Sequence, residues 1–205
     1  MRYLNNMLVV VASFLGLLMI FSSMMPSKAA DTPTLNKVGS GTVTATQYSP
    51  DDKEIGKAAA LTDGNDQTRW LFKPADPTKE LPLRLTFDMG IARTVGKVRI
   101  ANYFRQTNFE RGLKIVDFFV GDTSLPVKDA KPTIADVEIK MSDKTAVAWT
   151  DIVLAPQVKG RYVTIRVKSN WGAPAYAANE VEIYTVEADV LPANPPVTPT
   201  PATVK

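Results

Sequence analysis

The sequence predicts an all-β protein, an antiparallel β-sandwich of the jelly-roll kind, and three observations carry that prediction. Apolar and polar residues alternate with a period of two over several separate runs. About eight such runs recur at intervals of ten to twenty residues, with turn-rich connections between them. Only Asp52 to Leu61 has room for a turn or two of helix. Of the 205 residues 45% are hydrophobic and 8% aromatic. Roughly 160 remain once the ends are set aside, enough for one core and too few for two.

Taken in order, Met1 to Ala30 reads as an export signal. Arg2 gives a positive start, Met7 to Phe21 is a mostly apolar run, and Ser27-Lys28-Ala29-Ala30 places small residues around a cleavage point. That apolar run is short for a membrane span, and an uncleaved anchor is the alternative. The expected location is therefore outside the cytoplasm: secreted, periplasmic or at the cell surface. Asp31 to Gly41 is polar and is expected to be a flexible lead-in. The sandwich is expected over residues 42–188. Thr42 to Tyr48 is β-branched. Leu81 to Met89 alternates Leu83, Leu85, Phe87 and Met89 against Arg84, Thr86 and Asp88. Val95 to Phe104, Leu113 to Val120 and the weaker Glu138 to Met141 follow. Ala148 to Leu154, Tyr162 to Val167 and Glu180 to Val186 complete the set. Residues 189–205 form a Pro/Thr-rich tail expected to be disordered. Within it Leu191 to Lys205 holds five of the chain's 15 prolines and no aromatic residue, so it favours extended polyproline conformations and cannot build a core.

Composition restricts function. There is no cysteine and no histidine, which excludes disulfides, thiolate zinc sites, Cys nucleophiles and Ser-His or Cys-His catalysis. The formal charge is +3. Two of the 24 basic residues, Arg2 and Lys28, lie in the acid-free leader, so the rest of the chain carries about +1. That balance argues against nucleic acid as a partner, because phosphate binding needs a concentrated positive face. Asp88, Asp117, Glu180 and Glu182 are available for carboxylate catalysis, yet nothing in the sequence pairs them in a cleft. The chain is read as a non-catalytic protein.

One polar stretch stands out. Ala58 to Trp70, AAALTDGNDQTRW, runs from an apolar lead-in through a tight loop. Asp63 and Asn65 offer side-chain oxygens two residues apart, Gly64 permits a sharp bend between them, and Thr68 adds a hydroxyl. A hard cation such as calcium takes six to eight oxygens of these kinds. On residue types alone, a Gly-centred turn with solvated polar residues is the commoner arrangement. Trp70 is expected to pack in the core beneath this loop.

These residues, with others downstream, resemble a known family. Ala60-Leu61-Thr62-Asp63-Gly64-Asn65 followed by Thr68-Arg69-Trp70 is similar to the first signature of discoidin domains, also called coagulation factor 5/8 type C domains. Leu83 to Gly90 resembles the strand ending in "hydrophobic-Asp-Leu-Gly". Val95 to Tyr103 resembles the strand after it, and Gly160-Arg161-Tyr162-Val163 a late "Gly-Arg-Tyr-hydrophobic" start. Ser169 to Gly172 and Asn179 to Tyr184 resemble the closing loop and final strand. The resemblance covers about Thr42 to Glu187, with its pieces in order.

The resemblance implies a galactose-binding-like sandwich similar to bacterial family 32 carbohydrate-binding modules, which hold a structural calcium ion beside the first signature. Carried over position by position, Asp63, Asn65 and Thr68 supply side-chain oxygens and Ala60 a backbone carbonyl. The Glu180 carboxylate and Asn179 carbonyl close the site from the last strand. Asn65 stands where Asp is common in the family, lowering the ligand charge. The implied ligand surface lies on loops at one end of the sandwich, where a rigid scaffold presents side chains. Two loops have suitable chemistry: Tyr103 to Arg111, with Arg105, Asn108 and Phe109, and Asn170 to Tyr176, with Asn170, Trp171 and Tyr176. An aromatic ring lies against a sugar's C–H face while forked donors and acceptors meet its hydroxyls. The alternative is that Trp171 folds back over the sandwich end. Galactose-binding members often use a histidine, and this chain has none. The expected partner is a carbohydrate or cell-surface glycoconjugate. A membrane phospholipid or surface protein is the alternative, since discoidin domains also bind these, and Trp171, Phe109, Arg105 and Arg111 combine apolar and basic character.

Overall fold

The computed structural model describes residues 33–48, 58–74, 83–105, 107–124 and 130–187. The expected leader, residues 1–30, and the tail, residues 189–205, lie outside them, as does the 52–57 part of the expected helical segment. Eight strands are described: β1 (Asn36–Lys37), β2 (Thr44–Tyr48), β3 (Trp70–Phe72), β4 (Arg84–Asn102), β5 (Leu113–Gly121), β6 (Ile134–Glu138), β7 (Trp149–Asn170) and β8 (Tyr176–Thr185). Short 3-10 turns occur at Ala58–Leu61 and Phe109–Arg111. No helix among the described residues is long and apolar enough to cross a membrane.

The strands pair antiparallel into two layers that share β4 and β7. In one layer the first half of β4 lies between β2 and the second half of β7, with Arg84 opposite both Tyr48 and Arg166. β5 and β6 continue that layer beyond β7. In the other layer the second half of β4 lies between the start of β7 and β8, with Ile100 opposite Thr150 and Val181. β1 and β3 both pair along β8. The core fills the space between. Leu85, Phe87 and Met89 from one half of β4 meet Val98 and Ile100 from the other, with Phe118, Val163, Ile165, Val181 and Ile183. Trp70 is fully buried as expected, stacked on Phe72 at 6.4 Å, and its indole N–H donates to Gln47 Oε1 at 2.6 Å.

Two features add to the sequence reading, and both have clear causes. The runs read separately as 81–89 and 95–104 fall on one strand over Arg84–Asn102, and those at 148–154 and 162–167 on one strand over Trp149–Asn170. β4 turns the corner between layers at Gly90 and through register shifts at Asp88/Arg93 and Val95/Lys97, so its ladder bends without ending. Within the 31–41 lead-in, Asn36 to Val38 lie against the last strand. β1 pairs with Thr185 and Tyr184, the Val38 N–H donates to the Ile183 carbonyl at 2.8 Å, and Val38 is buried in the core. Leu35 and Val38 stand three apart in a polar stretch, too short a signal for alternation to be read.

Candidate functional site

The first loop closes on the last strand. After the 3-10 turn, Gly64 takes φ 80°, which favours glycine, and the chain doubles back towards Trp70. The Gly64 N–H donates to Glu180 Oε1 at 3.2 Å, across 116 residues of sequence. Asp63 and Glu180 therefore belong to one end of the molecule.

Oxygen atoms crowd this junction, and protons to share among them are few. The Thr68 hydroxyl lies 2.7 Å from Asp63 Oδ2, 2.8 Å from the Asn65 carbonyl and 3.5 Å from the Ala60 carbonyl. One hydroxyl proton serves one of the three well. Asp63 Oδ1 accepts from the Asn65 N–H at 2.9 Å, and Asn65 Oδ1 from the Gln67 N–H at 3.0 Å. Glu180 is only 2% exposed, and its Oε2 has no hydrogen-bond partner among the described residues. Burial pushes its carboxyl up to about 8, with the Asp63 charge acting the same way against the opposing Gly64 N–H. Glu182, two residues on, is the counter-example. Burial disfavours its charge too, but Lys37 at 2.6 Å and the Tyr184 hydroxyl at 2.8 Å hold its pKa below the ordinary value.

The donor set fits a hard cation. A carboxylate at Asp63, a surplus carboxylate oxygen at Glu180, a hydroxyl and two carbonyls are calcium chemistry. Among the described residues no three acidic, His or Cys side chains group as a metal site, so neutral oxygens have to complete any coordination shell. A cleft of about 330 Å³ opens beside this junction, lined by Gly64, Asn65, Asp66, Trp149, Glu180 and Glu182. Asn179 contributes through its side chain, which the sequence reading did not anticipate. Its Nδ2 donates to the Asp66 carbonyl at 2.6 Å, and its Oδ1 accepts from the Phe104 N–H at 3.1 Å.

The 103–112 and 170–176 loops lie side by side. The Trp171 N–H donates to the Glu110 carbonyl at 3.1 Å, and Gly112 bridges to Ala177. Asn102 builds the floor under the first loop. It is fully buried, donates from Nδ2 to the Leu113 and Lys140 carbonyls at 2.8 Å each, and accepts at Oδ1 from the Tyr103 and Leu113 N–H groups. All four of its hydrogen-bonding positions are satisfied. A Cβ at Gly112 would sit 2.7 Å from Asn102 Oδ1, so this close approach requires glycine. Its role as a hub depends on partners far along the chain.

The predicted ligand-contact residues divide into two groups. Arg105 and Asn108 are exposed, Phe109 is half-buried, and Asn108 holds a left-handed backbone with φ 66°. Asn170 is committed within its own loop. Its Nδ2 donates to the Ala173 and Ala175 carbonyls at 2.7 and 2.8 Å, and its Oδ1 accepts from the Gly172 N–H at 3.0 Å. The half-buried Trp171 leans back on β5, its Nε1 donating to the Leu113 carbonyl at 3.1 Å with Lys114 Nζ 4.7 Å from the ring centroid. Tyr176 packs against the core, and burial raises its hydroxyl pKa.

The family model for the F5/8 type C domain matches residues 42–183. No curated protein matches the chain. Among solved structures, the family 32 carbohydrate-binding module of Clostridium perfringens NanJ in complex with galactose aligns at 16% identity and TM-score 0.58, covering 74% of this chain and 99% of that one. The F5/8 type C domain of a Bacteroides fragilis protein aligns at 11% identity and TM-score 0.56, covering 74% and 96%. A second family 32 module from Clostridium perfringens, in complex with GalNAc-β-1,3-galactose, aligns at 19% identity and TM-score 0.51, covering 72% and 99%. At such identities the likeness is one of fold.

Proposed function

Because the chain belongs to the F5/8 type C domain family, we propose that it is an exported, non-catalytic carbohydrate-binding module. Its ligand rests on the paired 103–112 and 170–176 loops, and its 60–68 loop holds a structural calcium ion with Glu180. The observation that carries the reading is the Trp171 N–H···O=C Glu110 hydrogen bond. It joins the two loops, which carry exposed Arg105 and Asn108 and half-buried Phe109 and Trp171. Arg105 and Asn108 offer forked polar groups to sugar hydroxyls, and the two aromatics offer apolar rings to a C–H face. The galactose and GalNAc-β-1,3-galactose in two relatives suggest the first sugars to try. Asp63, Thr68, the Ala60 and Asn65 carbonyls and Glu180 would hold the ion. Bound there, it supplies positive charge that ties an early loop to the last strand.

Lys114 above the Trp171 ring favours one other reading, an anionic phospholipid surface met by an aromatic with basic neighbours. A glycan array run beside anionic and zwitterionic vesicles, in calcium, tests both. Retention of glycans that is lost in Trp171→Ala supports the carbohydrate reading. Binding to anionic vesicles with no glycan retained replaces it with the lipid reading.

A further inference from the structure

We propose that Asn179 makes the ligand loop answer to the cation loop, so that the order of Phe104, at the head of the ligand loop, depends on whether the 60–68 loop holds its ion. This rests on the calcium reading above. The starting point is an irregularity in β8. Ala101 pairs with Glu180 but Asn102 pairs with Ala178, which leaves Asn179 as an extra residue, a β-bulge. Alternation changes phase across it. Glu180 and Glu182 share one face, Val181 and Ile183 fill the core, and Ala178 is in the core again two residues before Glu180. Bulges re-aim side chains, and this one sends Asn179 to the end of the sheet where both loops pass.

Asn179 is 1% exposed, and each branch of its amide serves a different loop. Nδ2 donates to the Asp66 carbonyl in the cation loop; Oδ1 accepts from the Phe104 N–H at the start of the ligand loop. A carboxamide is a rigid plane, so moving its donor branch moves its acceptor branch. Burial removes water as a substitute partner for either contact. The neighbouring residue, Glu180, holds the Gly64 N–H of the same cation loop. An ion that draws the Asp63 and Glu180 carboxylates together fixes the position of residues 64–66. The Asp66 carbonyl then fixes Asn179, and Asn179 fixes Phe104. Without the ion, nothing draws the Asp63 and Glu180 side chains together, and the first link loosens. The rest of the ligand loop is fastened independently, at Asn102 and at Trp171. Asn179 is a positioning residue in this scheme and touches neither ion nor sugar through its side chain.

Amide hydrogen exchange on the full chain tests the coupling, read at Phe104 and at residues 107–111 in chelator and in calcium, with thermal melts run in parallel. Calcium is expected to slow exchange at Phe104 by about tenfold or more in the wild type. In Asn179→Ala the slowing should fall below about twofold, while calcium still raises the melting temperature of the variant. Should that variant fail to fold, Asn179→Asp keeps the acceptor for Phe104 and loses the donor to Asp66, and the same flattening is expected. Exchange at Phe104 that ignores calcium in the wild type, alongside a calcium-dependent melt, overturns the coupling and leaves the calcium reading standing. Slowing that survives in Asn179→Asp also overturns it, because the signal then travels by another route. A melt that calcium does not move overturns the calcium reading itself, and the coupling with it.

Discussion

The 60–68 loop and the 170–176 loop each turn on a positive-φ glycine close to an asparagine, and they have opposite hydrogen-bond economies. In the later loop, Asn170 closes on itself: two donors and an acceptor all meet backbone groups within five residues. In the earlier loop, oxygens outnumber the protons offered to them, and a buried Glu180 oxygen facing it has no partner among the described residues. The first is a finished structure. The second is the loop for which we propose a cation. Polar residues in a turn say little by type alone; the balance of donors and acceptors after folding separates scaffold from site.

Removing the ion should break this contrast most strongly. At calcium a hundredfold above its Kd, binding adds about 2.7 kcal/mol, which for a domain of this size raises the melting temperature by roughly 5–10 °C. Asp63→Asn and Glu180→Gln should each abolish the shift. In chelator Glu180→Gln should melt no lower than the wild type at pH 9, since it removes a buried unpaired charge. A chelator melt identical to the calcium melt would make the early loop as self-sufficient as the later one.

Damage to the later loop should be smaller and indifferent to calcium. Asn170→Ala strips three hydrogen bonds from a half-buried site and is expected to cost about 1–3 kcal/mol by chemical denaturation. An equal loss in the two conditions sharpens the comparison; a loss seen only in calcium would blur it.

pH dependence in chelator follows from Glu180. Its carboxyl titrates near 8 when folded and at the ordinary 4.5 when unfolded, so between those values the folded state keeps a proton the unfolded state has released. Stability should therefore fall as pH rises through that window and level off above it. Calcium displaces the same proton, so its affinity should climb over the window and then flatten. Titration calorimetry in buffers of different ionisation enthalpy reads the released proton directly, and Glu180→Gln should abolish the release.

The smallest effect is expected at Lys114. Replacing it by Met removes a cation–π contact with Trp171 worth about 0.5–1 kcal/mol. The calcium response should be unchanged, because this pair belongs wholly to the later loop's support.

The sandwich was legible because alternation survives wherever one face of a strand is buried, as in Leu83 to Met89 and Val163 to Val167. Strand limits were less so. A corner at Gly90 and a turn between two strands use the same residues, and only pairing tells them apart. At the site, the meeting of Asp63 and Glu180 came from the family resemblance, and the Gly64 contact places them together. The Asn179 side chain and the Asn102 hub were hidden because both depend on a bulge or on partners distant in sequence, which no local pattern records. Asn170 illustrates the converse: its residue type suits sugar hydroxyls, while its neighbours claim every group it offers.

The sharing of β4 and β7 between both layers reaches beyond the site. Pairings such as Arg84 with Arg166 and Ile100 with Thr150 hang on the same two lengths of chain, so neither layer can peel away while the other stays intact. Unfolding should be all-or-none, with calorimetric and van 't Hoff enthalpies in agreement. Folding should be slow, in the millisecond-to-second range typical of chains whose contacts lie far apart in sequence.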